Sequence, residues 1–285
     1  MAQITATEAS PAIRELWRTG ALKALFAKMV VKNRVTSVTE DVSQMGDILH
    51  VKINPTPTVG DITAATGAFT AEAVTISDVT LTVNKWKYVA HDVVDIADIQ
   101  SDIDLYNNFS QAFMPALGEQ IETDTLALYS SMTANAAIGD ATAGDAFGDG
   151  VIIPSGLVLD DLKIDIDGRS WLIPPVAASQ LLKDDKWVDA HRTGMDKSVA
   201  TTGFLSLDLY GIPAYRTPLI ATSGSIRKAI LCHKEGMMVG IQRNIKIEKF
   251  ARTQFSNSFA GSVLYGVAIL RNNHNQVVNV KSNLV

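Results

Sequence analysis

The residues able to do chemistry are few and poorly spaced for it. Five histidines, His50, His91, His191, His233 and His274, lie far apart, and none has a second histidine at i+3 or i+4. A helix-borne metal site needs that spacing to bring two imidazoles onto one face. The one cysteine, Cys232, directly precedes His233; neighbouring strand residues point to opposite faces, so the two cannot act as nucleophile and base, and a buried structural thiol is expected. Lys163, Asp165, Asp167 and Gly168 superficially follow a calcium loop. Lysine, however, stands where the first carboxylate belongs and Pro174 where the closing glutamate belongs. Asp140, Asp145 and Asp149 fall among glycines and read as solvated loop charge. The G-x-S-x-G, H-E-x-x-H, G-x-x-x-x-G-K-[ST] and G-x-G-x-x-G patterns do not occur. We therefore assign no catalytic residue, no cofactor and no metal ligand, and do not read the chain as an enzyme.

Composition sets the remaining bounds. The chain has 285 residues, 47% of them hydrophobic and 19% charged, against a usual charged share of about 25%. It is long enough for two domains at roughly 150 residues each. A net charge of -5 argues against a surface built throughout to clamp nucleic acid, and no zinc finger or basic run interleaved with stacking aromatics occurs. Lys85-Trp86-Lys87-Tyr88 comes nearest and reads as a strand end. The charge is partitioned. Residues 1–38 carry Arg14, Arg18, Lys23, Lys28, Lys32 and Arg34 against Glu8 and Glu15, a balance of +4. Residues 239–285 balance at +5, which leaves -14 in the middle. Such asymmetry can steer one copy onto another or present a basic surface to a polyanion. The first residues show no leader pattern and no run reaches the ~20 apolar residues of a membrane span, so a soluble, cytoplasmic chain is expected.

The elements follow from spacing. Ser10-Pro11 starts a helix expected over 11–31, with Ile13, Leu16, Trp17, Ala21, Ala24 and Leu25 on one stripe. The bordering Arg14, Arg18 and Lys28 also suit a membrane-surface helix, but packing on its own core or on a neighbouring copy is the preferred reading. Short β-prone runs follow at Val35–Thr39, Ile48–Ile53 and Thr75–Val83. The last two form a long protruding hairpin, and because two-stranded ribbons are marginal in water it should lean on another subunit. Asp92, Asp95, Asp98, Asp102 and Asp104 precede a helix expected over 104–132, favouring its positive end, with a kink or break near Ala112 imposed by Pro115. A glycine and aspartate loop over 139–150 comes next. Leu162–Ile166 and Ser170–Ile173 flank Asp167-Gly168 as a hairpin, a short helix spans Val176–Leu182, and a polar loop covers 193–202. Strands are expected at 229–232, 237–241, 245–250, 263–270 and 277–280.

Particular stretches carry a family resemblance. Val83-Asn-Lys-Trp-Lys-Tyr-Val-Ala-His-Asp-Val-Val-Asp-Ile-Ala-Asp-Ile, followed by Ile103-Asp-Leu-Tyr, resembles the segment leading into the spine helix of the major capsid proteins of tailed bacteriophages, the Hong Kong phage-type capsid fold shared with encapsulins. That helix usually ends near an aspartate resembling Asp124. Trp171-Leu-Ile-Pro-Pro-Val, Gly203-Phe-Leu, Tyr210-Gly-Ile-Pro-Ala-Tyr and Lys234-Glu-Gly-Met-Met-Val-Gly look like landmarks of the family's axial domain, and Gln254 through Arg271 is similar to its closing portion.

The resemblance implies an α+β chain with an N-arm (1–45), an extended β-hairpin loop (46–82), a peripheral domain with the spine helix (83–133), an axial domain (134–238) and C-terminal strands completing both (239–285). It implies a homo-oligomer of hexamers and pentamers tiling an icosahedral shell around double-stranded DNA, assembled in the host cytoplasm and resident in the virion. Scaffolding, portal and decoration proteins are the implied partners, DNA contact is non-specific, and no membrane is involved. An encapsulin-type compartment enclosing a cargo enzyme is the first alternative, and a soluble enzyme without a recognisable motif the second. Some relatives crosslink a lysine to an asparagine; no motif here identifies such a pair, so a non-covalent shell is expected. Without a long scaffolding-like N-terminal segment, a separate scaffold or none is expected. The inter-subunit contacts are expected at Arg14, Trp17 and Arg18 of the N-arm, at Phe69 and Glu72 of the extended loop, and at Asp92, Asp95 and Asp98.

Overall fold

A computed structural model describes residues 29–42, 48–62, 67, 69–94, 105–183, 208–220, 222–223, 226–253 and 256–282. In chain order its strands and helices are β1 (Thr36–Ser37), α1 (Thr39–Val42), β2 (Ile48–Ile53), β3 (Ser77–Thr82), β4 (Lys85–Val94), α2 (Leu105–Leu126), α3 (Asp149–Asp161), β5 (Arg169–Ile173), α4 (Pro175–Leu181), β6 (Asp208–Leu209), β7 (Ile212–Arg216), β8 (Thr222–Ser223), β9 (Ile226–His233), β10 (Met237–Thr253), β11 (Ser256–Ile269) and β12 (Asn275–Lys281). This is an α+β fold on two sheets and a separate ribbon. The first sheet runs β1-β10-β11-β4; the second runs β12-β9-β5-β7-β6, with β8 beside β9. The chain passes from the second sheet to the first between β9 and β10, and back between β11 and β12.

The second sheet surrounds the larger core. Every residue of β5 is buried, as expected of a central strand paired on both sides, here with β9 and β7. Trp171 lies at its centre, edge-on to Phe147 with ring centroids 5.5 Å apart, among Leu159, Leu181, Leu231 and Val278. Arg169, also buried, is fully engaged: Nη1 lies 2.7 Å from Asp160 Oδ1, Nε donates to Asp165 O at 2.9 Å, and Nη2 donates to Ile164 O.

These contacts explain one failed expectation. Residues 162–166 do not form a hairpin strand, because they cap α3 instead. Lys163 takes a left-handed φ of 56° and the Ile164 N–H returns to Leu159 O at 3.1 Å, a helix C-terminal motif. Arg169 then occupies the carbonyls a hairpin ladder would need. Helix α3 itself lies beyond the loop read over 139–150. Pro154 and two glycines mask its periodicity, although Val151, Ile152, Ser155 and Leu159 make one buried face.

Helix α2 packs on the first sheet through Phe113 and Leu117, while Leu126 enters the core that joins both sheets. It runs unbroken through Pro115, so the predicted break does not occur, and it continues as a 3-10 turn over Ala127–Ser131. Its first turn carries no acidic residue; Asp102 and Asp104 precede it, outside the described residues. The expected helix over 11–31 and the loop over 193–202 also lie outside, except that 29–31 are not helical. The two strands expected at 237–241 and 245–250 are one strand, β10, with register shifts between Ile241 and Arg243 and between Arg243 and Lys246.

The β2–β3 ribbon is seated by two glycines. Gly240 and Gly266 face each other across β10 and β11, and a Cβ on Gly266 would come within 2.5 Å of Thr82 O, one on Gly240 within 2.7 Å of Leu81 Cδ2. Their missing side chains let the ribbon root lie against the sheet, with Leu81 fully buried among Val38, Val42, Val83 and Met238.

Candidate assembly interface

Beyond its root the ribbon has no core. β2 and β3 are antiparallel, with Leu49 opposite Leu81 and Val51 opposite Val79, and residues of β2 alternate between half-buried and exposed. The connecting segment is apolar yet open: Val59 is 96% exposed and Phe69 75%, and Ile62, Val74 and Ile76 are exposed as well. Exposed apolar side chains gathered on one element mark a candidate interaction surface. Glu72 braces this segment from within, its carboxylate accepting from Thr58 N at 2.9 Å and Thr58 Oγ1 at 3.3 Å. His50 Nδ1 and Asp78 Oδ2, 2.6 Å apart, tie the two strands across the ribbon.

The first sheet offers a second open apolar surface. β4 is its edge strand and exposes Trp86 and Tyr88 on one side. Asp92 belongs to the same strand but is engaged within the chain: directly opposite Ser258, it accepts a hydrogen bond from the Ser258 hydroxyl.

Of the residues assigned to contacts from the sequence, the structure thus leaves Phe69 outward, while Glu72 and Asp92 hold local geometry. Arg14, Trp17, Arg18, Asp95 and Asp98 lie outside the described residues.

Two carboxylates of α2 fix what lies beneath these surfaces. Asp124 receives Lys85 Nζ at 3.0 Å, Tyr265 OH at 2.8 Å and Gln120 Nε2 at 2.9 Å, so it joins the helix to the start of β4 and to β11. Burial pushes its pKa up, but the Lys85 and Tyr265 hydrogen bonds, the Lys85 charge and Gln120 outweigh that and hold it below the usual range. Tyr265 is correspondingly pushed up by its own burial and by Asp124. The sequence marks Asp124 and places Lys85 at a strand end and Tyr265 in the closing portion, but that these two converge on Asp124 depends on strand register.

Glu122, on the same helix, accepts the backbone N–H groups of Val30 and Val31 with Oε1, pinning the described start of the chain. Burial raises its pKa, only partly offset by those two bonds. Beside it a cavity of about 470 Å³ is walled mainly by apolar residues, among them Met29, Met114, Ile121, Ile241 and Val263. Cys232 is buried as expected, with its Sγ 3.5 Å from Ser170 Oγ, and burial pushes the thiol up to about 11. Among the described residues no helix is long and apolar enough to cross a membrane.

Solved structures share this arrangement of sheets and helices. A chain from the capsid structure of the cyanophage P-SCSP1u superposes with a TM-score of 0.79 at 13% identity, covering 99% of this chain and 97% of that one. One from Mycobacterium phage Che8 gives 0.77 at 21% identity, covering 93% and 96%. One from the capsid asymmetric unit of cyanophage Pam1 gives 0.74 at 14% identity over the whole of both chains. No protein-family model and no curated protein matches the sequence. The chain therefore has the fold of these phage structures, over its full length and theirs.

Proposed function

We propose that this chain is the major capsid protein of a tailed double-stranded DNA bacteriophage, assembling as hexamers and pentamers into an icosahedral shell around the genome. The observation that carries the reading is the coincidence of an end-to-end likeness to phage capsid chains with a ribbon whose apolar side chains stand exposed among the described residues. In this reading residues 1–45 are the N-arm, 46–82 the extended loop, 83–133 the peripheral domain with α2 as spine helix, 134–238 the axial domain, and 239–285 the strands that complete both. The extended loop lies over a neighbour's peripheral domain. The basic N-arm, led by Arg14 and Arg18, meets an acidic surface of another copy around Asp92, Asp95 and Asp98, which the +4, -14, +5 charge partition favours. Contact with packaged DNA is weak and non-specific. Scaffolding, portal and decoration proteins are its partners, and the virion, assembled in the host cytoplasm, is its location.

Negative-stain electron microscopy of the purified full chain, with size-exclusion chromatography across a salt series, tests this. Closed shells or rings of five and six support it. A monomer or dimer at every salt concentration, with or without co-expressed scaffold, overturns it and returns attention to a soluble enzyme. Charge reversal at Arg14 and Arg18 should weaken assembly and flatten its salt dependence; unchanged behaviour would remove the N-arm contact from the proposal.

A further inference from the structure

The sequence separates its histidines, but the fold brings two of them together. Two of the connections between the sheets pass through one place. The 3-10 turn Lys234–Gly236 leads from β9 to β10, and the 3-10 turn Asn272–His274 leads from β11 to β12. β12 pairs with β9 in a register that sets Asn275 opposite Cys232, so His274 arrives beside His233. Their rings meet edge-on with centroids 5.7 Å apart, and one ligating atom each from His233, Glu235 and His274 lies within 4.8 Å of the other two.

The hydrogen bonds around the cluster fix which nitrogens carry lone pairs. His233 Nε2 lies 3.0 Å from Asp167 O; a carbonyl only accepts, so Nε2 carries the proton and Nδ1 is the lone-pair nitrogen. Nδ1 now accepts a long bond from Glu235 N at 3.2 Å. His274 Nδ1 lies 2.9 Å from Asn273 Oδ1, and with its proton directed there Nε2 is left as the ligating atom. An imidazole that gives its second nitrogen's proton to a carbonyl or amide oxygen is the arrangement that orients metal-bound histidine. Arg271 Nε holds Glu235 Oε2 at 3.3 Å, which orients the carboxylate and leaves Oε1.

The frame is rigid. Gly168, at a φ of +90°, brings its backbone against the His233 ring, where a Cβ would sit 3.1 Å from Nε2. Leu270 N and Asn275 Nδ2 both donate to Gly236 O, at 3.0 and 3.1 Å. Asn275 Nδ2 also donates to Arg271 O at 3.0 Å, which ties the two turns together.

We propose that His233, Glu235 and His274 form a binding site for a divalent transition metal of the zinc type, with a fourth position open to water. Two imidazoles and one carboxylate are a donor set that zinc accepts in tetrahedral geometry. The metal would cross-link the two connections and so fix one sheet relative to the other. This inference is independent of the assembly proposal and can be read on any oligomeric form of the chain.

The full-length protein, stripped with chelator, is equilibrated with zinc and assayed for metal per chain, with cobalt as the spectroscopic probe. About one zinc per chain and the absorption bands of tetrahedral cobalt are expected, with magnesium unable to compete. His274→Ala and Glu235→Gln should each weaken zinc binding by at least tenfold, and Asn273→Ala by roughly tenfold through loss of orientation. His91→Gln, which alters a histidine stacked on Phe113, should leave it unchanged. Circular dichroism of the metal-free variants verifies that they fold. Absence of stoichiometric zinc in the wild type, or uptake insensitive to His274→Ala and Glu235→Gln in folded protein, overturns the proposal.

Discussion

The sheet around Trp171 and the β2–β3 ribbon are built from similar residues to opposite ends. In the first, β5 is flanked by β9 and β7 and covered by α3 and α4, so each apolar side chain finds partners within its own chain. In the second, two strands pair with each other and with no third strand among the described residues, bury their root against α1 and β10, and carry Val59, Ile62, Phe69 and Val74 into the open. The difference separates a region whose apolar side chains are buried from one whose apolar side chains stand exposed. Isolated ribbons are marginal and extended apolar patches are rare on monomers.

That contrast can be broken most severely at Trp171. Trp171→Ala should cost about 3–5 kcal/mol, read as a fall in chemical-denaturation midpoint, because the well-packed site cannot collapse around the void. A smaller loss is expected at the ribbon's seat. Gly266→Ala places a methyl group against the Thr82 carbonyl and should cost roughly 1–3 kcal/mol; limited proteolysis between β2 and β3 should accelerate, since the root is lifted from the sheet. If Gly266→Ala leaves both unchanged, the ribbon is not held by that contact.

A third probe lies between the two regions. Asp124→Asn weakens the junction of α2, β4 and β11 and should cost about 1–3 kcal/mol at neutral pH. Because the folded pKa of Asp124 lies below its ordinary value of 3.8, its contribution is present above that value and is lost as the pH falls below it. The penalty of the variant should therefore shrink in acid. Glu122 has the opposite sign: its raised pKa gives a contribution present below its ordinary value and lost as the pH rises through the folded one. Glu122→Gln, which keeps an acceptor for Val30 and Val31, should be tolerated best at neutral pH.

The mildest effect on folding is expected at the ribbon's open end. Phe69→Ser should change the stability of the unassembled chain by less than about 0.5 kcal/mol while lowering the yield of assembled particles. A large drop in melting temperature would show that Phe69 is already covered within its own chain, and the contrast with Trp171 would fail.

Much of this was legible from local chemistry. Alternation in Thr75–Val83 marks β3, because a half-buried strand repeats every two residues. The spacing of Phe113, Leu117, Ile121 and Thr125 marks the inner face of α2, and Pro174-Pro175 marks the start of α4. Legibility failed where tertiary contacts overrode local signals. Asp167-Gly168 does make a turn, but Lys163 and Ile164 cap a helix and Arg169 occupies the carbonyls of a would-be strand. Pro115 does not break α2, which is packed along the first sheet at Phe113 and Leu117 on either side of it.

The candidate sites divide the same way. The sequence by itself pointed to the hairpin over Ile48–Val83, to a buried Cys232 and to the absence of the common catalytic motifs. These depend on residue type and short spacing alone. Only the tertiary structure decided that Glu72 and Asp92 are engaged inside the chain, that Lys85 and Tyr265 converge on Asp124, and that His233 meets Glu235 and His274. The Asp92, Lys85 and Tyr265 contacts depend on the β4–β11 register, Glu72 on the return of the ribbon's connecting segment, and the histidine pair on the crossings at β9–β10 and β11–β12, none of which leaves a local periodicity to read.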